Sequence, residues 1–420
     1  MRQSALSLLA ALSVALSGCA GSSDPRVELA VSQASPLPMN VGAARQGAAA
    51  LNAMGLDLFG ELAAPDQNAV ISPLSIGIAL GMARAGARGT TADEIDQVMH
   101  DAAANGNAAW LASLGRELAL RNRTVTDEEE VEHEIAVHLA NAPFAQRGLS
   151  LHQAFLDDLA ARFGAGLRLV DYVSDSEEAR QAINGWVNEQ TRERIPELVP
   201  DGAIDSMTRL VLVNAVYLNA PWAAPWSRAG SGPLEFTRLD GSNVSVPMMI
   251  TDGRMPYAEG DDWQAVDLAY LGGELAMLLI VPEDLRSFEA ELDGDRLSAI
   301  VDALDERQTL VTMPRFEVET QADLIPPLKS FGMSAAFGDA DFSGISDEPL
   351  FVSAVVHQAN ISVDEKGTEA AAATAIAMAL SAPHGDVEVH ANRPFLFAVR
   401  DRQTGAVLFL GHVADPSQNS

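Results

Sequence analysis

The spacing of apolar residues changes several times along the chain, and each spacing predicts a helix or a strand. Apolar residues recur every three to four positions over residues 48–62, 149–163 and 179–191, which predicts three amphipathic helices. A strand of the buried type runs into Ser72-Pro73, and a further helix is expected after it. Residues 209–218 are apolar almost without interruption, which is typical of a strand buried on both faces.

Strand-like runs dominate the second half of the chain. They occupy residues 248–250, 264–268, 275–281 and 309–316. A helix is predicted at residues 323–331, although two prolines stand near its start. No internal repeat or second linker interrupts residues 48–415, so we expect these residues to form one α+β domain.

One Ala-rich stretch, residues 360–383, fits helical and strand spacing equally well. Ala is the best helix former, and residues 369–381 are nearly all small or apolar. With a period of two, one face would present Thr368, Ala370, Ala372, Thr374, Ile376, Met378 and Leu380. No bulky or charged side chain would then stop the segment from entering the middle of a sheet. Such local conflicts tend to mark functional sites; an Ala-rich linker before a last hairpin is the plainer interpretation.

The residues around this stretch resemble the motifs of the serpin family. Residues 364–374 read DEKGTEAAAAT, which is similar to the serpin hinge. Asn392-Arg-Pro-Phe-Leu-Phe, followed by Gly411-His, resembles the signature that closes that fold. The resemblance implies an α+β serpin fold, with about eight to nine helices around three β-sheets and an exposed, insertable reactive-centre loop.

The hinge resembles that of inhibitory serpins, which implies suicide inhibition of a serine protease. The protease attacks the loop and forms an acyl-enzyme. Residues 368 to about 380 then insert as a new central strand, and the attached protease is dragged along until its oxyanion hole is distorted. The competing interpretation is a non-inhibitory serpin that acts as a binding or chaperone module. That reading predicts bulky, charged or proline residues in the hinge, and residues 367–379 contain none apart from Glu369.

The resemblance assigns the hinge and the reactive bond to particular residues. The hinge consists of Glu365, Gly367, Thr368, Glu369, Ala370, Ala371, Ala372, Ala373 and Thr374. Counting from Glu365 as in the family places the reactive bond at Ser381–Ala382. The bonds after Leu380 and after Met378 are the alternatives.

The composition of the loop limits the proteases that it can attract. No Lys or Arg lies between Lys366 and Arg393, so trypsin-like enzymes should find no cleavage site. The expected targets are proteases with small or apolar specificity pockets, which are elastase-like, subtilisin-like or chymotrypsin-like. Some serpins also trap papain-like cysteine proteases. The physiological target stays open.

The resemblance also assigns residues to the places where the sheet must open. Ser72, Ser75, Asn214 and His357 are expected to form a polar cluster beneath the central sheet, and Trp222 is expected at the top, where the loop begins to insert. The plainer interpretations are helix capping by the two serines, a core aromatic at Trp222 and a hydrogen-bonded buried histidine. Capping is compatible with the cluster.

The N-terminus is predicted to be a lipoprotein signal. Arg2 precedes an apolar run over residues 5–16, which is too short to span a bilayer. The run leads to Leu16-Ser-Gly-Cys19, which resembles the lipobox of bacterial lipoproteins, so cleavage after Gly18 would leave the lipids on Cys19. Cys19 is the only cysteine and has no disulfide partner. A chance cysteine near a signal cleavage site is the alternative.

These observations predict four parts of the chain. Residues 1–18 are the signal peptide, residues 19–47 the lipidated cysteine and a flexible tether, residues 48–415 the serpin domain and residues 416–420 a C-terminal tail. The tether is rich in Ser, Gly, Ala and Pro, and its expected reach is roughly 30 Å. We expect an exported, lipid-anchored protein of the outer membrane. The sequence leaves open whether it faces the periplasm or the exterior.

The excess of acidic residues and the absence of several motifs restrict the expected partners and functions. The chain has 27 basic and 58 acidic residues, which argues against nucleic acid and heparin-like polyanions. The expected partners are a target protease in a covalent acyl complex and the membrane through Cys19, and a monomer is expected. No nucleophile elbow, zinc-protease motif, phosphate-binding glycine loop or paired-cysteine spacing occurs. We therefore expect no cofactor, no metal and no enzymatic activity.

Overall fold

The computed structural model describes residues 24–100, 109–127, 129–228, 233–368 and 386–418. Within these residues there are nine α-helices, one π-helical turn at Leu159–Phe163 and one 3-10 turn at Ala335–Phe337. The helices are α1 (Val41–Leu62), α2 (Pro73–Gly86), α3 (Gly89–Val98), α4 (Ala109–Ala119), α5 (Gln153–Asp158), α6 (Ser176–Gln190), α7 (Leu285–Ala290), α8 (Gly294–Asp302) and α9 (Ile325–Ser330). Each helix expected from the sequence is present, with ends that differ by several residues.

Strands make up most of the remainder. They are β1 (Glu28–Ala30), β2 (Ala69–Ile71), β3 (Arg123–Thr126), β4 (Glu132–Gln146), β5 (Leu167–Val170), β6 (Leu210–Pro221), β7 (Ser227–Arg228), β8 (Leu234–Thr237), β9 (Asn243–Val246), β10 (Met248–Glu259), β11 (Trp263–Ala269), β12 (Leu275–Pro282), β13 (Asp305–Pro314), β14 (Phe316–Asp323), β15 (Val352–Asp364), β16 (Gly367–Thr368), β17 (Val387–His390), β18 (Phe395–Asp401) and β19 (Val407–Val413).

These strands form three sheets, as expected. The large sheet has the order β1-β5-β4-β6-β16-β15-β14, with β3 paired to β4. The second sheet has the order β17-β13-β10-β11-β12-β18-β19-β2, with β7 paired to β10. β8 and β9 form a two-stranded ribbon. The prediction of an α+β fold is confirmed.

The centre of the large sheet is covered on both faces. Along β6, Leu210, Leu212, Val216 and Leu218 belong to the core that also contains α1 and α2. The alternate residues of β6, which include Val211 and Val213, pack in a second core with α6. Burial on both faces explains why this strand is apolar almost without interruption.

α2 begins directly beneath the large sheet. Ser72 is its N-cap, because its Oγ accepts a hydrogen bond from the backbone N–H of Ser75 at 3.2 Å, and Pro73 occupies the first helical turn. This fits the preference of serine for the cap and of proline for the position after it. The helix contacts both β4 and β6. The capping interpretation of Ser72 is therefore correct.

The expected flexible tether over residues 19–47 is wrong in its described part. β1 pairs with β5 at the edge of the large sheet, and α1 begins at Val41 rather than at residue 48. Asn40 caps α1 by accepting a hydrogen bond from the N–H of Ala43 at 3.0 Å. A three-residue strand has no hydrophobic period of its own, and β1 forms because β5 offers it a free edge.

Candidate functional site

Two neighbouring strands at the centre of the large sheet part toward one end. β6 and β15 pair in parallel over residues 210–216 and 352–359. Beyond these residues the two strands are no longer paired to each other, and β16 lies between them instead. We call the line between β6 and β15 the central seam, the end near Leu210 the lower end and the end near Pro221 the hinge end.

β16 has only two residues, but it is paired on both sides. Gly367 lies opposite Pro221 and Thr368 opposite Ala220, antiparallel to β6, and both residues also pair with β15. Gly367 has a φ of +145°, and a Cβ atom there would stand 2.3 Å from the carbonyl oxygen of Ala220. Only glycine fits, because it alone adopts this backbone conformation without a side chain to collide.

Thr368 is the first hinge residue whose side chain enters the sheet. It is 1% exposed, and its Oγ1 lies 2.6 Å from the hydroxyl oxygen of Tyr270. Burial raises the pKa of Tyr270, so the phenol keeps its proton and can donate to the threonine oxygen. The sequence assigned no role to Tyr270, which stands 98 residues before its partner. No motif around it carried a signal.

Trp222 closes the hinge end of the seam. Its ring stacks on that of Tyr270 with 4.6 Å between the centroids and 5° between the planes. Its indole N–H donates to the carbonyl oxygen of Asp364 at 2.8 Å, and its backbone N–H donates to that of Lys366 at 3.0 Å. Trp222 therefore lies where the loop leaves β15. It is also a buried core aromatic, and its part in loop insertion stays a prediction.

Glu365 lies in the turn between β15 and β16. Its carboxylate accepts a hydrogen bond from Arg315 at 2.5 Å. The side chain of Glu365 is 17% exposed, whereas that of Arg315 is 48% exposed. The pair fastens the turn to the start of β14, because Arg315 immediately precedes that strand.

The four residues expected in a polar cluster lie together beneath the central seam. The backbone N–H of Ser72 donates to Nε2 of His357 at 3.1 Å, and Nδ1 of His357 contacts Oδ1 of Asn214. Asn214 also donates to the carbonyl oxygen of Val356 at 3.1 Å. Ser75 joins through its bond to Ser72. The cluster ties β6, β15 and α2 at one point, and its role in sheet opening stays a prediction.

His357 is held in its neutral form. It is fully buried, and this burial lowers its pKa to about 3. Its neighbours fix the tautomer, because Ser72 can only donate to Nε2 and the amide oxygen of Asn214 can only accept from Nδ1. A neutral imidazole with one donor and one acceptor fits both partners.

Asn141 extends the cluster and was missed in the sequence. Its Oδ1 accepts a hydrogen bond from the hydroxyl of Ser75 at 2.7 Å, and it lies opposite Asn214 across β4 and β6. Its Nδ2 is buried without a protein partner. Asn141 stands in an apolar strand, and its sequence neighbourhood gives no sign of a partner 66 residues away. Only the strand register brings it here.

A loop after α6 crosses the central seam on the α6 face. Arg192 donates two hydrogen bonds, at 2.6 and 2.9 Å, to the carboxylate of Glu134 in β4. On the other side of the seam, Gln321 of β14 donates to the carbonyl oxygen of Leu198 at 2.7 Å. An opening of the seam must therefore stretch or break these contacts.

Several expected site residues lie outside the described part of the chain. They are the remaining hinge residues Glu369, Ala370, Ala371, Ala372, Ala373 and Thr374, the bond candidates Met378, Leu380, Ser381 and Ala382, and the lipid attachment residue Cys19. Their assigned roles stay predictions.

Metal-ion sites and membrane-spanning helices both require particular groupings of the described residues. Among them, no group of three or more His, Asp or Glu side chains is arranged to hold a metal ion. No helix within the described ranges has the length and apolar character needed to cross a membrane.

Comparisons with known proteins agree with this architecture. The family model for serpins (serine protease inhibitors) matches residues 49–416. An uncharacterised serpin-like protein of Thermococcus kodakarensis is 37% identical over 373 residues, which are 87% of this chain and 85% of that protein. The leukocyte elastase inhibitor of Xenopus tropicalis is 32% identical over 361 residues, which are 83% and 93% of the two chains. The crystal structure of native protease nexin-1 with heparin matches with a TM-score of 0.77 at 28% identity, over 89% and 100% of the two chains.

Proposed function

The chain belongs to the serpin family of serine protease inhibitors, and on that premise we propose that it is a suicide inhibitor whose loop traps its target covalently. Serpins are typically inhibitors rather than enzymes, so the catalytic groups in this mechanism belong to the target. The target's nucleophile attacks the loop and forms an acyl-enzyme. The segment upstream of the cut then enters the central seam.

The observation that carries this proposal is the position of β16. Gly367 and Thr368 already lie between β6 and β15, in antiparallel register with β6. If the residues after Thr368 continued in that register, Met378 would stand opposite Leu210, the first residue of β6. Ser381, at the expected reactive bond, would then lie just beyond the lower end of the sheet. The attached protease would be carried from one end of the molecule to the other.

The free energy for this movement would come from the new strand. Pairing on both sides adds on the order of 10–20 backbone hydrogen bonds, each worth about 1 kcal/mol net. Distortion of the oxyanion hole then stops deacylation, because its donors act only in the correct geometry. Before cleavage, the hydrogen bonds of the polar cluster and of the loop after α6 hold β6 and β15 together. The intact form is therefore trapped kinetically.

We propose that the targets have small or apolar specificity pockets. The loop contains no basic residue between Lys366 and Arg393. The relative from Xenopus tropicalis is named for leukocyte elastase, which supports an elastase-like target among the subtilisin-like and chymotrypsin-like alternatives. Papain-like cysteine proteases form acyl-enzymes as well and belong to the same proposal.

The test is incubation of residues 20–420 with elastase, subtilisin, chymotrypsin and trypsin, followed by denaturing gels and mass spectrometry. A complex that survives SDS, with release of a short C-terminal peptide, is the expected result for at least one of the first three enzymes. The mass of the peptide identifies the reactive bond. Clean cleavage without a complex, by a protease that stays active, would instead favour a non-inhibitory serpin that serves as a binding or chaperone module.

We also propose that the protein is exported and anchored to a membrane, in the first instance the outer membrane, through lipids on Cys19. The sequence before Cys19 supports this, and a diacylglycerol group with an amide-linked chain would provide the two signals that stable anchoring needs. The net charge of −31 argues against a polyanion partner. Heparin is a ligand of protease nexin-1 in the crystal structure compared above, and we do not extend it to this chain. Mass spectrometry of the N-terminal peptide from membrane fractions tests the anchor, and an unmodified Cys19 there would refute it.

A further inference from the structure

The parallel pairing between β6 and β15 ends before the hinge end is reached. Its last pair is Val216 with Ala359, whereas β16 joins β6 only from Ala220 onward. Residues 217–219 of β6 and 360–362 of β15, all within the described part of the chain, are therefore not paired with each other. We call this part of the central seam the window.

The loop after α6, residues 191–209, is attached on both sides of the window. On one side the guanidinium of Arg192 lies over the ring of Tyr217 in β6, 5.5 Å from the ring centroid. On the other side the carbonyl oxygen of Arg194 accepts a hydrogen bond from the side-chain amide of Asn360 in β15, at 3.5 Å. The loop thus bridges the two strands where their own pairing has ended.

The backbone of this loop is strained where it leaves α6. Arg192 and Glu193 have φ angles of +53° and +65°, in the left-handed region that is unfavourable for residues with a side chain. Two such residues in succession persist only where surrounding contacts hold them. The contacts of Arg192 therefore hold the loop against its own backbone preference, and their loss would favour its departure.

Arg192 has two partners on β4, and they differ in burial. Its ion pair with Glu134 is open to solvent, because the two side chains are 41% and 53% exposed, and such pairs contribute little. His138 is half-buried, and its Nε2 lies 3.1 Å from a guanidinium nitrogen of Arg192. A guanidinium only donates, so Nε2 must accept. This hydrogen bond exists only while the imidazole is neutral.

The charges that act on His138 are those of Arg192 and Glu134, and from β6 the ring of Tyr217 packs against it with 6.0 Å between the centroids. Burial lowers the pKa of His138, the charge of Arg192 lowers it further, and Glu134 opposes both effects. His138 is therefore neutral at neutral pH and gains its proton below the ordinary histidine value of about 6.5. The protonated ring cannot accept from Arg192, and it places a positive charge beside the guanidinium.

We propose that the contact between Arg192 and His138 is a pH-sensitive latch on the central seam. Protonation of His138 releases the loop on the β4 side, whereas the bond from Gln321 of β14 to the carbonyl oxygen of Leu198 stays, because neither group titrates. Opening of the seam separates β4 and β6 from β14 and β15, and a loop released on one side no longer resists that separation. The intact protein should therefore open more readily in acid. The effect on protease trapping rests on the proposed function.

Amide hydrogen exchange of the intact chain, read by mass spectrometry, tests the latch. Protection of residues 191–199, corrected for the intrinsic exchange rate, is followed from about pH 8 to about pH 5. Residues 275–281 of β12 are the reference for global unfolding. We expect protection of residues 191–199 to fall several-fold below about pH 6.5 while that of the reference stays constant. Arg192 lowers the pKa of Glu134, so this carboxylate keeps its charge over the range.

Two variants distinguish a latch from a contact that is only structural. His138→Gln keeps an acceptor that cannot be protonated, so residues 191–199 should stay protected at every pH. Arg192→Gln removes the charge, so the same residues should exchange fast at every pH. Constant protection in the parent, a His138→Gln profile that follows the parent, or strong protection in Arg192→Gln would each overturn the latch. The experiment needs no protease, so the latch and the proposed inhibition can fail separately.

Discussion

Two seams between buried strands differ in chemistry although both lie in the core. In the second sheet, β12 and β18 pair antiparallel over residues 275–280 and 396–401, and β12 is apolar and buried along its whole length. In the large sheet, β6 and β15 pair in parallel, with a shift in register between Val352 and Ala354. The central seam buries the polar side chains of Asn214 and His357 along its middle, whereas the charged Arg400 and Asp401 of the other seam lie at its end. Parallel pairing is slightly less stable per residue.

The difference bears on the proposed opening of the central seam. Over residues 277–280 and 396–399 the seam between β12 and β18 is apolar, so a separation of its strands would lose packing as well as backbone hydrogen bonds. The central seam is held by backbone bonds, which an inserted strand would replace, and by the hydrogen bonds of the polar cluster beneath it. We therefore expect changes at β12–β18 to affect stability in every form, and changes at the central seam to affect insertion or the intact form alone.

The largest effect is expected for Thr368→Arg. An arginine at this 1% exposed position would carry a charge into the seam beside Tyr270, and an unpaired buried charge is costly. We expect the loop still to be cleaved while SDS-stable complexes fall to background on denaturing gels. Thr368→Val, which keeps the shape, should still form complexes. Full complex formation by the arginine variant would mean that this side chain does not enter the sheet.

Leu279→Ala tests the seam between β12 and β18. Leu279 is fully buried in β12 opposite Phe397, and such a truncation typically costs about 2–5 kcal/mol. We expect the urea midpoints of the intact and the cleaved protein to fall together, while the fraction of folded molecules that form complexes stays the same. Leu234→Ala, at a 41% exposed position, is the control for a change of size alone. A loss of complex formation per folded molecule would show that this seam takes part in insertion.

His357→Leu should destabilise the intact protein more than the cleaved protein. In the intact protein the change leaves the N–H of Ser72 and the amide oxygen of Asn214 without their partner, at a cost of about 1–3 kcal/mol. In the cleaved protein the inserted strand would already separate β6 from β15, so the histidine–asparagine bond would be absent. We expect the thermal midpoint of the intact form to fall more than that of the cleaved form, with the exposed His390→Leu as control. Equal shifts would contradict the model of an opened cluster.

The same histidine gives a pH dependence with a defined sign. Burial lowers the pKa of His357 to about 3, whereas an unfolded histidine titrates near 6.5. The unfolded chain therefore gains a proton below about pH 6.5 and the folded chain does not, so stability is lost as the pH falls from 6.5 toward 3, by about 1.4 kcal/mol per pH unit. We expect the intact parent to show a steeper loss than His357→Leu in urea titrations at several pH values. The lowered pKa of His138, caused by burial and Arg192, acts equally in both proteins. Parallel curves would exclude His357 as the source.

The smallest effect is expected for Tyr270→Phe. The change removes only the hydroxyl that contacts Thr368 and leaves the stack on Trp222, at a cost of about 0.5–1.5 kcal/mol. We expect faster amide hydrogen exchange in residues 366–368, read by mass spectrometry, without a change in the thermal midpoint of the second sheet's core. Tyr257→Phe, which loses a contact with Glu259 instead, is the matched control. Unchanged exchange at the hinge would show that β15 and β6 alone hold β16.

The sequence predicted the elements whose cause is local. The unbroken apolar run identified β6, and Ser72-Pro73 marked the start of α2, because burial on both faces and helix capping each leave a mark on neighbouring residues. The serpin resemblance added the polar cluster, and its four residues do lie together. Because this cluster joins side chains of β6, β15 and α2, no pattern of neighbouring residues predicts it.

The parts that the sequence missed depend on register between distant segments. Asn141 is a site residue because strand pairing places it opposite Asn214, and Tyr270 is one because its bridge to Trp222 brings its hydroxyl to Thr368. The sequence gives no sign of β1, because three residues show no period and become a strand only at the edge of β5. Each of these contacts is decided by tertiary packing, which outweighs local preference in short or mixed segments.

The antiparallel register of β16 has a further consequence for the length of the loop. Each loop residue that follows Thr368 into the seam would lie one step further along β6, so the number of residues before the cut and the length of β6 must match. A cut placed two residues earlier, after Ala379, would leave the trapped enzyme about 7 Å closer to the sheet, only one residue step beyond Leu210. The length of β6 thus sets the number of loop residues that must precede the cut. Loop length constrains this inhibitor as much as loop sequence does.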